Sequence, residues 1–340
     1  MKEAYMLFPC QEIGSLRKPA WLLDYVKHNK VSEEDKERAR NDAAYLNIKM
    51  LEDIGLDIVY DGEVRRVEMY EYPIRYVRGF IFAGEVRSFD NKYYKKARCV
   101  TNVALKNNYH LNEFLFVKAN AKKDVKIPIT GPYTLADWSY NEFYNSKEEF
   151  VMSIAKEIIR PMIIDLVKHG ARIIQIDEPA MTTHPSVSEM RVAVDAINEC
   201  IRGIDAKFIV HICYSGNEYR ALLPYAMDID AQQFALEFAN RDTWELGVDD
   251  DSRRGYRVLR EFKEHGYNKE IGLGVIDVHV DDIESPELVR DRIVYAANLL
   301  GAENIYVNPD CGLRTRSRSV AIEKLKVMVK GAELARKAFE

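Results

Sequence analysis

No run in the sequence approaches the roughly 20 apolar residues of a membrane span. Its opening residues, Met1-Lys2-Glu3-Ala4-Tyr5, meet charge at once, with no apolar stretch and small-residue cleavage site behind them. No membrane segment and no secretory signal are expected, and a cytoplasmic protein is. Cysteine is sparse as well. Five in 340 residues, an odd count, make no disulfide framework and leave thiols free for metals or chemistry. A basic surplus is also missing: 49 Lys and Arg stand against 54 Asp and Glu, a net charge of −5, which argues against nucleic acid as a partner. Finally, no glycine-rich phosphate turn follows the first apolar run, which counts against a doubly wound open sheet.

What the chain does have is alternation. Strand-like apolar runs at residues 4–15, 57–63, 125–132, 171–177, 207–213, 228–237, 270–277 and 304–308 are separated by helical stretches. Eight such units predict an α/β fold, a TIM (β/α)8 barrel, with residues 1–340 as one catalytic domain. Residues 32–54 read as a helix, opened by Ser32-Glu33-Glu34-Asp35 and stopped by Gly55. Longer helices are expected at 147–169 and 317–339. Between 64 and 126 the alternation gives way to a Tyr- and Arg-rich excursion. Its runs Gly79-Phe80-Ile81-Phe82-Ala83-Gly84 and Leu115-Phe116-Val117 have strand character, predicting a hairpin-like insertion between strands 2 and 3 rather than a helix. The cluster of Lys92, Lys95, Lys96 and Arg98 around Tyr93 and Tyr94 reads either as a solvated face or as a contact for an acidic partner or a negatively charged cofactor tail.

In such a barrel the C-terminal ends of the strands build the site. Here they carry Gly14-Ser15, Asp61 and Glu63, Gly131-Pro132, Asp177-Glu178, His211 and Cys213, Glu237, Asp277 and His279, and Asp310-Cys311. His211 and Cys213 are two residues apart, so an extended backbone turns both to one face. With Cys311 at a strand-to-helix corner they form a plausible zinc set, because zinc favours imidazole and thiolate. The alternative is a core histidine and two buried thiols. A fourth ligand should come from a neighbouring strand, and Glu237 stands at the end of strand six; alone it would read as a salt-bridge partner. Two thiolates and a carboxylate on a divalent ion leave one negative charge, a weak Lewis acid suited to activating a thiol rather than water. That counts against a zinc hydrolase. Cys10, Cys99 and Cys200 read as ordinary small apolar residues.

The motifs, taken together, resemble cobalamin-independent methionine synthase in its C-terminal catalytic half, and the short single-barrel archaeal members in particular. They are Glu12-Ile13-Gly14-Ser15, Asp61-Gly62-Glu63, Ile129-Thr130-Gly131-Pro132 with Trp138-Ser139, Gln175-Ile176-Asp177-Glu178-Pro179-Ala180, His211-Ile212-Cys213-Tyr214-Ser215, Gly274-Val275-Ile276-Asp277-Val278-His279 and Asn308-Pro309-Asp310-Cys311-Gly312-Leu313. The resemblance implies a TIM barrel with zinc on His211, Cys213, Glu237 and Cys311. It implies a homocysteine site in which Ile13 and Ser15 hold the carboxylate, while Glu63 and Asp177 take the ammonium group; without it, these two acids read as strand-end salt bridges. His279, with Asp277, matches the proton donor to the leaving group. Trp138 matches the tryptophan that stacks on the pterin of the methyl donor, although an aromatic after a strand also suits a core. Methyl transfer to homocysteine to give methionine is the implied reaction. The short members are associated with methylated corrinoids presented by a corrinoid protein, which sets that donor ahead of a methyl-tetrahydropterin. Related zinc barrels methylate other small thiols, and the two acids favour one that bears an ammonium group.

Overall fold

The structure, a computed structural model, describes residues 6–28, 30–87, 93–213 and 219–340. Lys92 of the basic cluster and Tyr214 and Ser215 of the His211 motif lie outside the described residues. In chain order the strands are β1 (Ile58–Val59), β2 (Val77–Arg87), β3 (Tyr93–Leu105), β4 (Asp124–Thr130), β5 (Tyr140–Asn141), β6 (Ile173–Asp177), β7 (Lys207–Ile212), β8 (Gln233–Leu236), β9 (Glu270–Ile276) and β10 (Ile305–Pro309). Of these, β1, β4 and β6 to β10 make one seven-stranded sheet, while β2, β3 and β5 make a second. The seven are short and almost wholly buried, which is why they read as continuous apolar runs rather than alternating ones.

The chain divides into two compact units. The first runs to Arg65 and takes in residues 116–126 and 233–340; the second holds residues 66–115 and 127–232. In the first unit β8, β9 and β10 are parallel neighbours, Leu236 opposite Leu273 and Leu273 opposite Val307. Cys10 bridges Val307 and Gln11 bridges Ile58, both in parallel, so two residues form the link between β10 and β1. Of the expected first strand at 4–15, residues 4 and 5 lie outside the described residues, and the rest is reduced to these two bridges. Phe8 sits in left-handed backbone at φ 54 and Pro9 has no N–H to give, so the ladder cannot extend backwards. The helix Glu33–Ile54 begins where the acidic turn indicated, with the Ser32 hydroxyl accepting the Asp35 amide at 3.1 Å, and ends on Gly55 at φ 102. Its Ala39, Ala43 and Ala44 pack with Leu22 and Val64.

In the second unit β6 and β7 are parallel and in register, so that Asp177 lies opposite His211. The Gly131 amide donates to the Asp177 carbonyl at 2.9 Å and ties the end of β4 to β6. β2 pairs antiparallel with β3, and Arg98 of β3 lies opposite Tyr140 of β5. The run Leu115-Phe116-Val117 is not a strand: it lies inside the helix Leu111–Asn120. A three-residue apolar run carries no period of its own. Phe114 and Val117, three apart, are the buried pair, which is helical spacing. The expected helix at 147–169 contains one π turn, Ala155–Ile159, between α segments Lys147–Ile154 and Arg160–Lys168. Among the described residues no helix is long and apolar enough to cross a membrane.

Candidate active site

In the first unit, the ends of β8, β9 and β10 carry candidate chemistry. Glu237 follows β8 and is buried. Its Oε2 accepts from Asn240 Nδ2 at 3.3 Å and lies 3.5 Å from Arg241 Nη2, while Oε1 is 3.9 Å from His279 Nε2. That carboxylate raises His279 above the usual imidazole range against the opposing effect of burial, so the ring keeps its proton to higher pH. Asp277 Oδ1 accepts the His279 amide at 2.8 Å, and the Asp277 amide donates to Glu284 Oε1 at 2.8 Å, fixing the turn that presents the histidine. At the end of β10, Asp310 is fully buried, and its oxygens accept the amides of Phe238 (2.9 Å), Ala239 (3.0 Å) and Asn240 (2.7 Å). Burial and the Glu237 charge push Asp310 up to about 8, against the pull of those amides. Cys311 follows, half-buried.

The turn after Cys311 needs glycine. A Cβ on Gly312 would stand 2.2 Å from Ser15 Oγ. Ser15 is thus packed against the cysteine corner, and the next amide, Leu16, donates to the Gly62 carbonyl at 3.0 Å. This contact ties the backbone after Ser15 to the backbone before Glu63. Glu63 adopts φ 58 and gives its amide to Asp61 Oδ1 at 2.8 Å, while Arg65 holds the other Asp61 oxygen at 2.9 Å. Behind them Glu12 is pushed up to about 8 by burial, with Lys126 opposing and Glu63 and Asp61 adding to the rise.

In the second unit, His211 and Cys213 are both buried at the end of β7. Asp177 accepts from Gln175 Nε2 at 2.7 Å. Its neighbour Glu178 is engaged elsewhere. The Glu178 carboxylate accepts the amides of Tyr133 (2.9 Å) and Thr134 (2.7 Å) and the Thr134 hydroxyl (2.6 Å), while its own amide donates to the His211 carbonyl at 2.8 Å. It therefore anchors the N-terminus of the helix Pro132–Asp137, where unpaired amides favour an anion. Trp138 caps that helix at its other end, half-buried, with its ring edge-on to Tyr70 at 6.2 Å. The Tyr70 hydroxyl is held by Ser139 (2.8 Å) and by the Ala97 amide of β3 (2.9 Å).

The roles of Asp310 and Glu178 were not legible as such in the sequence. The signal that bears on them is a glycine on the neighbouring element: a Cβ at Gly274 would stand 2.2 Å from Asp310 Oδ1, and one at Gly131 would stand 2.2 Å from Glu178 Oε1.

The profile of the family described as "Cobalamin-independent synthase, Catalytic domain" matches residues 17–334. The chain belongs to the cobalamin-independent synthase family. A methionine synthase of Thermoplasma volcanium is 43% identical over 332 residues, covering 94% of this chain and 95% of the relative. One of Pyrococcus furiosus is 43% identical over 338 residues, covering 98% and 94%. Among solved structures, a B12-independent methionine synthase from Shewanella sp. W3-18-1, in complex with selenomethionine, superposes with a TM-score of 0.84 at 25% identity and covers 98% of this chain and 99% of that one. As a cobalamin-independent synthase, the chain transfers a methyl group to homocysteine.

Proposed function

We propose that the transfer depends on zinc held by His211, Cys213, Glu237 and Cys311, and that the methyl donor is a methylated corrinoid. The observation that carries the metal reading is the donor set. His211, Cys213 and Cys311 offer one imidazole and two sulfurs, a group that could hold a metal ion, and imidazole with thiolates suits zinc. Bound there, zinc would keep the homocysteine sulfur deprotonated yet electron-rich.

The remaining roles belong to the chain's own side chains. Ile13 and Ser15 hold the amino acid carboxylate, and Glu63 and Asp177 accept hydrogen bonds from the ammonium group, charge-assisted contacts that orient the sulfur. The sulfur attacks the methyl carbon as the bond from carbon to the donor breaks. With a methyl-tetrahydropterin as donor, His279, whose Nε2 lies 3.9 Å from Glu237 Oε1, would give its proton to the departing nitrogen, whereas a corrinoid leaves with the bonding electron pair and takes none. Asp277 holds the turn on which that histidine sits. We read the scaffold as a (β/α)8 barrel in which Cys10 and Gln11 stand for the first strand and residues 64–126 are inserted; the two parallel bridges support this.

A second donor is favoured by one specific feature. Trp138, half-buried and edge-on to Tyr70, offers a ring to a methyl-tetrahydropterin. Metal-analysed protein given homocysteine with methylcobalamin, and in parallel with methyltetrahydrofolate, separates the two. Methionine from methylcobalamin alone supports the corrinoid reading. Methionine from the folate alone replaces it with the pterin reading, and no product from either, with zinc bound, moves the search to another thiol or donor.

A further inference from the structure

The loop after β8 and the residue before Cys311 are joined by one side chain. Asp310 projects from the end of β10 past Gly274 of β9, where any Cβ would stand 2.2 Å from Asp310 Oδ1 and 2.6 Å from the Leu236 carbonyl. It ends on three successive amides, those of Phe238, Ala239 and Asn240. These amides lie on residues 70 to 72 positions away in the chain. They immediately follow Glu237, just as Cys311 immediately follows Asp310. The carboxylate therefore fixes the backbone of one proposed zinc ligand against the backbone of another, at one residue's remove from each. The fit is tight on every side: the oxygens are fully buried, and the three amides turn into the 3₁₀ helix Ala239–Arg241.

We propose that Asp310 is a positioning residue for the metal site, holding Glu237 in register with Cys311 so that the protein binds zinc tightly. The inference rests on the zinc reading above. Its physical basis is that groups supporting a ligand set the ligand's orientation before the ion arrives, and their loss typically lowers metal affinity about 10- to 100-fold. A carboxylate is suited to the task because it can accept all three amides, whereas an amide side chain brings an N–H towards one of them.

The test is the zinc dissociation constant of the full chain, measured by competition with a chromophoric chelator, for the wild type, Asp310→Asn and Gly274→Ala. The glycine variant reaches the same carboxylate from the other side and keeps the test open should Asp310→Asn fail to fold. Leu325→Ala serves as a control, since Leu325 is buried in the last helix, Arg318–Lys337. Both variants should bind zinc about 10- to 100-fold more weakly, while the control loses thermal stability and keeps its affinity within about twofold. Equal affinity in wild type and variants would overturn the proposal while leaving the zinc reading intact, as would a control that weakens in step with its stability. A wild type that binds no zinc would remove both.

Discussion

Each of the two compact units contains a buried carboxylate that ends a strand and holds a neighbouring loop by its amides, and the two differ in what they hold. Asp310, in the first, secures the backbone that follows Glu237, whose carboxylate lies 3.9 Å from His279. Glu178, in the second, secures the helix whose far end is Trp138. Both sit where a facing glycine leaves room for the acid, and both are pushed up by burial, to about 8 and about 7. The lesson is that an acid at a strand end in this family is not automatically a group for substrate.

The sharpest way to probe the difference is to strike the chemistry on one side and the donor platform on the other. With methyltetrahydrofolate as donor, His279→Gln removes the proposed proton donor and should lower kcat by about 10²- to 10⁴-fold with the KM for homocysteine nearly unchanged. Trp138→Ala in the same assay should raise the KM for the donor instead. Equal effects of both variants on both constants would erase the distinction.

A smaller effect tests the clamps themselves. Glu178→Ala leaves two buried amides and a hydroxyl without their acceptor, at a cost of about 1–3 kcal/mol for each group left unsatisfied. It should lower the denaturation midpoint but retain zinc, in contrast to Asp310→Asn. Loss of zinc from the Glu178 variant would mean that the two clamps serve one function rather than two.

How much of this was legible in the sequence follows the range of the interactions. The helix from Glu33 was readable because Ser32, its acidic first turn and Gly55 act within a few residues. The candidate residues were readable because strand ends recur at fixed places in the alternation. Two readings went astray for want of local signal: Leu115-Phe116-Val117, too short to show a period, and the first strand, curtailed by the backbone at Phe8 and Pro9. The clamps were hidden for a different reason. Asp310 reaches 72 residues back along the chain to Phe238 and Glu178 reaches 45 back to Tyr133, and no spacing rule relates such positions.

Gly131→Ala tests the room left for Glu178 with a single methyl group, and should cost about 1–3 kcal/mol as an overpacking change, read in the urea midpoint. Gly203→Ala, in a turn with φ +70 and nothing within 4 Å of its Cβ, separates crowding from backbone strain. A further effect concerns pH and lies in the second unit. His110, buried beside Glu113 and Arg66, is pulled down to about 4 by burial and the Arg66 charge, with Glu113 opposing. The unfolded chain takes up a proton there near 6.5 that the folded chain refuses until about 4. Stability should therefore fall as pH drops through that window. His110→Gln should flatten that part of the curve; an unchanged slope would assign it to other groups.

The most direct measurement is methyl transfer to homocysteine by protein of known zinc content, wild type beside Cys311→Ser, with both donors offered. Methionine formed by the wild type at one zinc per chain, and lost together with the metal in the variant, is the predicted result. Methionine formed equally by zinc-free wild type or by Cys311→Ser would contradict a zinc-dependent transfer at these residues.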